Sequence, residues 1–158
     1  MRYLAFALAF LAPMPAFALS CRAPTIETSY AQFDAAKEAY VVVHGRLTLD
    51  MSKLPKGMTT NPAPPSMTRV PAILRGSSLN ASGFALPFEQ KVMLEVACFG
   101  PWCGGAKSGE DVLAFVRKET DGYALPISPC GGSVFGEPKP AMLKRVKQCL
   151  TLQNCKPD

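Results

Sequence analysis

The stretch Val96-Ala97-Cys98-Phe99-Gly100-Pro101-Trp102-Cys103-Gly104-Gly105 closes an apolar run and joins it to a glycine-rich segment. It carries two of the six cysteines and the one tryptophan of the chain. Before it, apolar and polar residues alternate, which predicts a β-strand from Phe88 to Ala97. On that alternation Cys98 points inward, ready for a buried disulfide. The stretch therefore indicates a small β domain that is stabilised by disulfides.

The first twenty residues have the features of a secretory signal peptide. Arg2 supplies a positive charge, Leu4 to Leu11 is an apolar run too short to span a bilayer, and small residues follow. Cleavage after Ala18 and cleavage after Ser20 both fit the small-residue rule, and the second would make Cys21 the first residue. We therefore expect a periplasmic or secreted protein without a membrane anchor after cleavage.

The remaining residues, 21–158, are enough for a single domain with a hydrophobic core. Removing Arg2 lowers the excess of basic over acidic residues from five to four. This mild excess favours a solvated basic surface over a nucleic-acid site, and export separates the chain from DNA. We expect a protein partner in the cell envelope or outside the cell, and no nucleic acid.

All six cysteines lie beyond the predicted signal peptide: Cys21, Cys98, Cys103, Cys130, Cys149 and Cys155. An even number of cysteines in an exported chain predicts three disulfides, for which sequence alone allows 15 pairings. A zinc site needs tight cysteine pairs with a matching second pair, and these spacings are wider. The one histidine, His44, is isolated. We therefore predict no metal site and no cofactor.

Periodicity predicts a helix, about five strands and a second helix. The first predicted helix runs from Thr25 to Ala39, with Ser29 and Gln32 as its capping box, and the second is an amphipathic helix, Pro140–Leu150. The predicted strands are Tyr40–Leu49, Arg69–Leu74 (ended by Gly76-Ser77-Ser78), Phe88–Ala97, Val112–Arg117 and Tyr123–Ile127. Between them we predict a loop over 50–68, a brief turn Gly83–Pro87, a loop Phe99–Gly109 and an end of the sheet at Cys130-Gly131-Gly132. Short turns and the lack of a βαβ rhythm predict a mainly β fold. An OB-like antiparallel barrel is the first choice and a sandwich the second.

The strand Tyr40–Leu49 has the clearest alternation. Val43, Gly45 and Leu47 are expected to face the core, while His44 lies on the outer face. No second histidine and no acidic residue lies close to His44 in the sequence, so we predict a surface residue there. No catalytic set of side chains stands out elsewhere, and we predict that the chain is not an enzyme.

Several motifs together resemble the netrin-like module, which also forms the inhibitory half of the tissue inhibitors of metalloproteinases. They are Cys21 just after the signal peptide; a helix leading into Ala39-Tyr40-Val41-Val42-Val43-His44-Gly45-Arg46; Cys103-Gly104 ahead of the strand 109–116; and Gly122-Tyr123-Ala124-Leu125 leading to Cys130. The resemblance covers most of residues 21–130 and implies an OB-like barrel. The chain has Cys21-Arg22-Ala23 where the family commonly starts with Cys-x-Cys.

Because the cysteines depart from the family pattern, the family's disulfide pairing is not transferred to this chain. We prefer Cys21–Cys130, Cys98–Cys103 and Cys149–Cys155. Pairing Cys21 with Cys103 and Cys98 with Cys130 is the alternative to the first two.

The sequence is compatible with three functions. The first is a non-enzymatic binding module in which Phe99, Pro101 and Trp102 form a contact point, since rigid aromatic anchors often dominate interfaces. In the competing interpretation of this loop, Trp102 folds back over the end of the barrel. The second function is metalloprotease inhibition. In the inhibitors that the chain resembles, an N-terminal cysteine offers its α-amine and carbonyl to the protease zinc, and here that residue is Cys21.

The third function is thiol redox chemistry at Cys98 and Cys103. Redox pairs favour a C-x-x-C spacing with the first thiol at the start of a helix. Here the spacing is wider and Cys98 ends a predicted strand, which makes this the weakest of the three.

Overall fold

The computed structural model describes residues 19–57, 63–152 and Cys155. In these residues the fold is mainly β, with two helices and a mixed sheet of seven strands. The elements are α1 (Ile26–Asp34), β1 (Tyr40–Leu49), β2 (Met67–Asn80), β3 (Gly83–Phe99), β4 (Trp102–Cys103), β5 (Glu110–Glu119), β6 (Gly122–Ile127), β7 (Val134–Gly136) and α2 (Pro140–Leu152). Most of the predicted signal peptide, residues 1–18, lies outside the described residues.

The strand pairings return to the strand from which they start. β1 pairs with β2, β2 with β3, β3 with β6, β6 with β5, and β5 again with β1. In a ring of five strands the directions cannot alternate all the way round, so one neighbouring pair must be parallel. That pair is β3 and β6, in which Leu94 lies opposite Leu125. The prediction of an all-antiparallel sheet is therefore wrong at this pair.

The inward faces of these five strands enclose the main hydrophobic core. Its fully buried members include Val43, Leu47, Val70, Leu74, Leu94, Val96, Val112, Val116 and Leu125. The alternation predicted for β1 is confirmed, because Val43, Gly45 and Leu47 are buried while Arg46 and Thr48 are exposed. Burial of this many aliphatic side chains is the main stabilising contribution to the fold.

A second apolar cluster lies between the sheet and the two helices. The ring of Phe115 on β5 is 1% exposed and stacks on Phe33 of α1, with 4.9 Å between ring centroids. Phe135 of β7 meets Phe115 edge-on at 6.4 Å. Val146 and Cys149 of α2 are fully buried in the same cluster. The middle of β5 is therefore buried on both faces, which explains its unbroken apolar run.

Helix α1 is capped one turn earlier than predicted. The side chain of Thr25 accepts a hydrogen bond from the backbone N–H of Thr28, and the Thr28 hydroxyl accepts one from the backbone N–H of Thr25. The predicted box at Ser29 and Gln32 is wrong because both residues lie inside the helix, and Ser29 is buried there.

The same helix ends at Asp34 and not at the predicted Ala39. The ring of Phe33 packs against that of Tyr40 with 4.6 Å between centroids. For these two rings to meet, the chain must turn between them. The helix therefore ends before Tyr40, although the alanines that follow Asp34 have high helix propensity.

Strand β2 runs through Gly76-Ser77-Ser78, which was predicted to end it. Gly76 lies directly opposite Gly45 of β1, where the two backbones approach closely. A Cβ on Gly76 would collide with the Gly45 Cα and the His44 carbonyl oxygen. Glycine here permits a close approach inside a strand and does not mark the strand's end.

The predicted turn Gly83–Pro87 is the first part of β3. β2 and β3 form a hairpin in which Asn80 pairs with Gly83 across two turn residues. The Asn80 side chain accepts a hydrogen bond from the backbone N–H of Ser82 at 2.8 Å. Gly83 has a φ of 117°, which explains the glycine at this position.

The later part of the chain matches prediction more closely. β5, β6 and α2 contain the predicted elements with ends extended by one or two residues. The sheet does not end at Cys130-Gly131-Gly132 as predicted, because β7 follows and pairs with the start of β5. Within the predicted loop over 50–68, Met51–Lys53 forms a 3₁₀ turn and the last two residues belong to β2.

An ion pair between the helices provides a test of their packing. Arg145 Nε donates to Glu27 Oε1 at 2.6 Å, and the two side chains are 27% and 17% exposed. The hydrogen bond from Arg145 lowers the pKa of Glu27, against a smaller opposing effect of burial. A carboxyl whose pKa is lowered by folding stabilises the protein above its unfolded pKa, and that contribution is lost as the pH falls through the folded pKa.

We therefore expect Glu27→Gln to lower the free energy of unfolding by about 0.5–1 kcal/mol at pH 7 and to have almost no effect at pH 2–3. Urea unfolding of both proteins at the two pH values measures this. Glu38→Gln, at an exposed position after the helix, is the control and should change neither value. An equal loss at both pH values would show that the charge of Glu27 does not matter.

Candidate functional site

β3 passes into β4 through a turn of two residues, Gly100 and Pro101. Cys98 is paired with Cys103 and Phe99 with Trp102 on either side of this turn. Gly100 has a φ of 59°, a backbone conformation that glycine adopts without strain. The predicted loop from Phe99 onward therefore begins as a tight hairpin.

The two sides of this hairpin have different environments. Cys98 is 5% exposed, and its disulfide to Cys103 lies against the core. Because side chains alternate along a strand, Phe99 and Trp102 share the opposite, outer side. Phe99 is 51% exposed, while Trp102 is half-buried. Trp102 is thus partly covered by the protein and partly open to solvent.

A cleft of about 410 Å³ lies beside the turn. It is lined by Leu19, Cys21, Pro55, Gly57, Pro101, Trp102, Cys103, Gly104 and Pro129. The cleft thus brings together three of the four residues predicted to make contacts: Cys21, Pro101 and Trp102. The fourth, Phe99, is not part of the lining. The described residues that line the cleft carry no charge.

Two disulfides and two glycines hold the walls of this cleft together. The Cys21–Cys130 bond links residues 109 apart in sequence, and so ties the start of the described chain to the segment after β6. A Cβ on Gly57 would collide with the Pro101 carbonyl oxygen, and one on Gly104 with the backbone of Ile127. Glycine is therefore required where these segments approach one another.

The structure contains the three disulfides of the preferred pairing, namely Cys21–Cys130, Cys98–Cys103 and Cys149–Cys155. In the third, Cys149 is fully buried and Cys155 packs against the same apolar cluster. Cys98 lies at the end of β3 and Cys103 in β4. Neither begins a helix, which is the position that lowers a thiol pKa in redox pairs.

His44 has an acidic partner that sequence reasoning missed. His44 Nε2 lies 2.9 Å from Asp111 Oδ2, and the two side chains are 29% and 49% exposed. Asp111 is 67 residues away in sequence, and only the register of β1 against β5 brings the two together. The ring of Phe84 lies edge-on to His44 at 5.5 Å. The pair links β1 to β5 on the outer face, where His44 was predicted.

A second cleft, of about 530 Å³, lies between α1 and the start of β1. Phe33, Tyr40 and Phe115 line it. The centroid of the Phe33 ring lies 4.6 Å from that of Tyr40 and 4.9 Å from that of Phe115, so the three rings pack on one another. Burial, and to a smaller extent the charge of Asp34, raises the pKa of Tyr30 at the same cleft. These side chains belong to the packing under the helices, so we favour the cleft beside Trp102 as the functional site.

Among the described residues, histidine, cysteine, aspartate and glutamate do not gather in a group of three that could hold a metal ion. Neither α1 nor α2 has the length and apolar character that a membrane-spanning helix requires.

No protein-family model, curated protein or solved structure matches the chain. Function is therefore inferred from the chemistry and geometry of the site.

Proposed function

We propose that the chain is a non-enzymatic, exported binding module. Its contact site consists of the aromatic turn, defined as residues 99–102, and the cleft beside that turn. The observation that carries this proposal is the convergence of Cys21, Pro101 and Trp102 on one uncharged cleft. These residues come from segments about 80 positions apart, joined here by the fold.

The rigidity of the site supports a role in binding. The Cys98–Cys103 bond closes the aromatic turn from below, and Cys21–Cys130 fixes the opposite wall. A side chain that is already held in place loses little conformational entropy when a partner covers it. Aromatic side chains in such positions contribute a large part of the binding free energy at many interfaces.

We further propose that the sheet forms an OB-like barrel of the netrin-like kind. An OB-fold is a five-stranded Greek-key barrel, partly open at one side. The pairing order β1-β2-β3-β6-β5, with β5 returning to β1, supports this topology over a sandwich of two separate sheets. The netrin-like resemblance of residues 21–130 stays a prediction.

The cysteines support the proposed location. Three disulfides are typical of proteins that fold in an oxidising compartment, such as the bacterial periplasm or the outside of the cell. Together with the predicted signal peptide, they favour a periplasmic or secreted protein.

The test of the proposed function is a pull-down from the envelope fraction with the wild type and with Trp102→Ala. We expect the variant to retain at most about a tenth of the captured partner, because loss of an interface hot spot costs about 2 kcal/mol or more. Leu86→Ala is the control, since Leu86 is also a large apolar side chain and is 52% exposed on β3. Equal capture by all three proteins, each with a wild-type melting temperature, would contradict the proposal.

Metalloprotease inhibition is the second candidate, favoured by one observation. Cys21 is exposed and lies in the same cleft as Trp102. An inhibitor of the type that the chain resembles would need Cys21 as the first residue of the mature protein. N-terminal sequencing of the exported protein tests this requirement. A start at Cys21 keeps the candidate, whereas a start at Leu19 removes it because Leu19 and Ser20 would precede the amine.

A further inference from the structure

We infer that the partner presents an acidic segment with an apolar anchor, and that this anchor docks on Met67, Phe99 and Trp102. These three side chains are called the apolar platform below. The inference rests on the proposed function, since it names the chemistry of the partner at the same site.

Strand register places the platform on one face of the sheet. Met67 of β2 lies opposite Ala97 of β3, and Phe99 follows two residues later on the same face. Phe99 in turn lies opposite Trp102 of β4. Direct and diagonal neighbours across strands are roughly 5–8 Å apart, within reach of aromatic and long side chains. The platform is therefore continuous across three strands.

Two of the three side chains of the platform are about half-exposed to solvent. Met67 is 50% exposed and Phe99 is 51% exposed, while Trp102 also lines the neighbouring cleft. Methionine and aromatic residues are the side chains most enriched at the centres of protein interfaces, and charged residues are depleted there. Both the platform and the described lining of the cleft lack charge.

The charges on the segments that form the cleft are mostly positive, whereas on the sheet beside Met67 the carboxylate of Glu95 is paired with Arg69 and Arg117. Arg22, Lys53 and Lys56 are exposed on the segments that form the cleft. In the described parts of these segments, residues 19–24, 50–57, 63–66, 98–106 and 128–133, the one acidic residue is Asp50. Its carboxylate accepts hydrogen bonds from the Ser52 N–H and hydroxyl and lies 3.9 Å from Lys53 Nζ. Arg22, Lys53 and Lys56 are called the rim below. An uncharged centre with this cationic rim is complementary to an apolar anchor flanked by aspartate or glutamate.

The two parts of the site should affect binding differently. Contacts with Trp102 and Phe99 are short-range and determine how long the partner stays bound. The rim charges are solvent-exposed, so they act mainly on the rate of association and are screened by salt. We therefore expect rim substitutions to weaken binding modestly and to reduce its salt dependence.

The probe for this inference is a displayed library of random twelve-residue peptides, panned on the immobilised full chain. We expect the peptides that the wild type enriches to combine an aromatic or aliphatic residue with an excess of aspartate and glutamate. One enriched peptide is then synthesised and its Kd is measured at 50 and 300 mM salt. We expect at least about tenfold weakening by Trp102→Ala. For Arg22→Glu with Lys56→Glu we expect roughly three- to tenfold weakening at low salt and less at high salt.

The matched control is Lys139→Glu with Lys144→Glu, which makes the same charge change at two exposed residues on the α2 side of the molecule. It should leave the Kd within twofold of the wild type. Sedimentation with phosphatidylglycerol vesicles is measured in parallel to detect binding to an anionic lipid surface.

The outcomes separate this inference from the function on which it rests. Peptides that require Trp102 but show no acidic bias, or bind equally to the Arg22/Lys56 variant, overturn the inference and leave the binding module in place. Peptides that bind equally to Trp102→Ala overturn both. If no peptide is enriched while the vesicles bind through Trp102, the partner is a lipid surface and the inference is wrong.

Discussion

Loss of the Cys21–Cys130 disulfide is expected to lower the free energy of unfolding by roughly 4–5 kcal/mol, because the bond closes a loop of more than a hundred residues in the unfolded chain. In the loop-entropy model the cost grows with the logarithm of loop length. The Cys149–Cys155 bond, with a separation of six residues, should contribute only about 2 kcal/mol.

Urea unfolding of Cys21→Ala with Cys130→Ala, beside Cys149→Ala with Cys155→Ala, measures this difference. The first double variant should also lose roughly 10–20 °C in Tm, given the size of the domain. The cleft beside Trp102 should lose one of its fixed walls at the same time. Equal losses in the two double variants would show that the long-range link does not act through loop closure.

Truncation of Phe115 is the second large effect. We expect Phe115→Ala to lower the free energy of unfolding by about 3–5 kcal/mol, the usual range for deleting a fully buried phenylalanine. Phe115 is 1% exposed and touches Phe33 of α1 and Phe135 of β7. Its loss should therefore loosen both the helix and the edge strand.

Chemical denaturation of Phe115→Ala, with Phe99→Ala as the comparison, tests this expectation. Phe99 is a phenylalanine in the same sheet but is 51% exposed, so its removal should change stability by less than about 0.5 kcal/mol. A loss below about 1.5 kcal/mol for Phe115→Ala would mean that α1 and β7 do not depend on this packing.

Local patterns in the sequence account for a large part of the fold. Strand β1 was predicted with its observed ends, because its alternation is unbroken and its core face is buried. The dipeptide Asp121-Gly122 favours a tight turn between strands, and β5 and β6 pair as a hairpin around it. The amphipathic pattern predicted α2 because one of its faces packs on the sheet.

The errors occur where a distant segment decides the local structure. The composition of Gly76-Ser77-Ser78 is typical of a strand end. In the folded chain Gly76 lies opposite Gly45, where the backbones of β1 and β2 approach closely. Helix α1 stops at Asp34, where Phe33 packs on Phe115 of the distant strand β5 as well as on Tyr40. The parallel pair of β3 and β6 follows from the closing of a five-strand ring, which no local pattern encodes.

The candidate site was partly predictable for the same reason. Phe99, Pro101 and Trp102 were identified because two cysteines enclose them in sequence. Only the folded chain brings Cys21 into one cleft with Pro101 and Trp102. The folded chain also places Met67 on the same sheet face as Phe99. The pairing of His44 with Asp111 likewise required the register of β1 against β5.

Binding at Trp102 can be measured directly because Trp102 is the one tryptophan in the chain. Protein labelled with 5-fluorotryptophan gives a single ¹⁹F NMR resonance that reports on this side chain, whatever tryptophans a partner contains. When the captured partner is added, we expect the resonance to shift and to become less accessible to a soluble paramagnetic quencher. A resonance unchanged in position and accessibility, while the partner is bound, would contradict the assignment of the site.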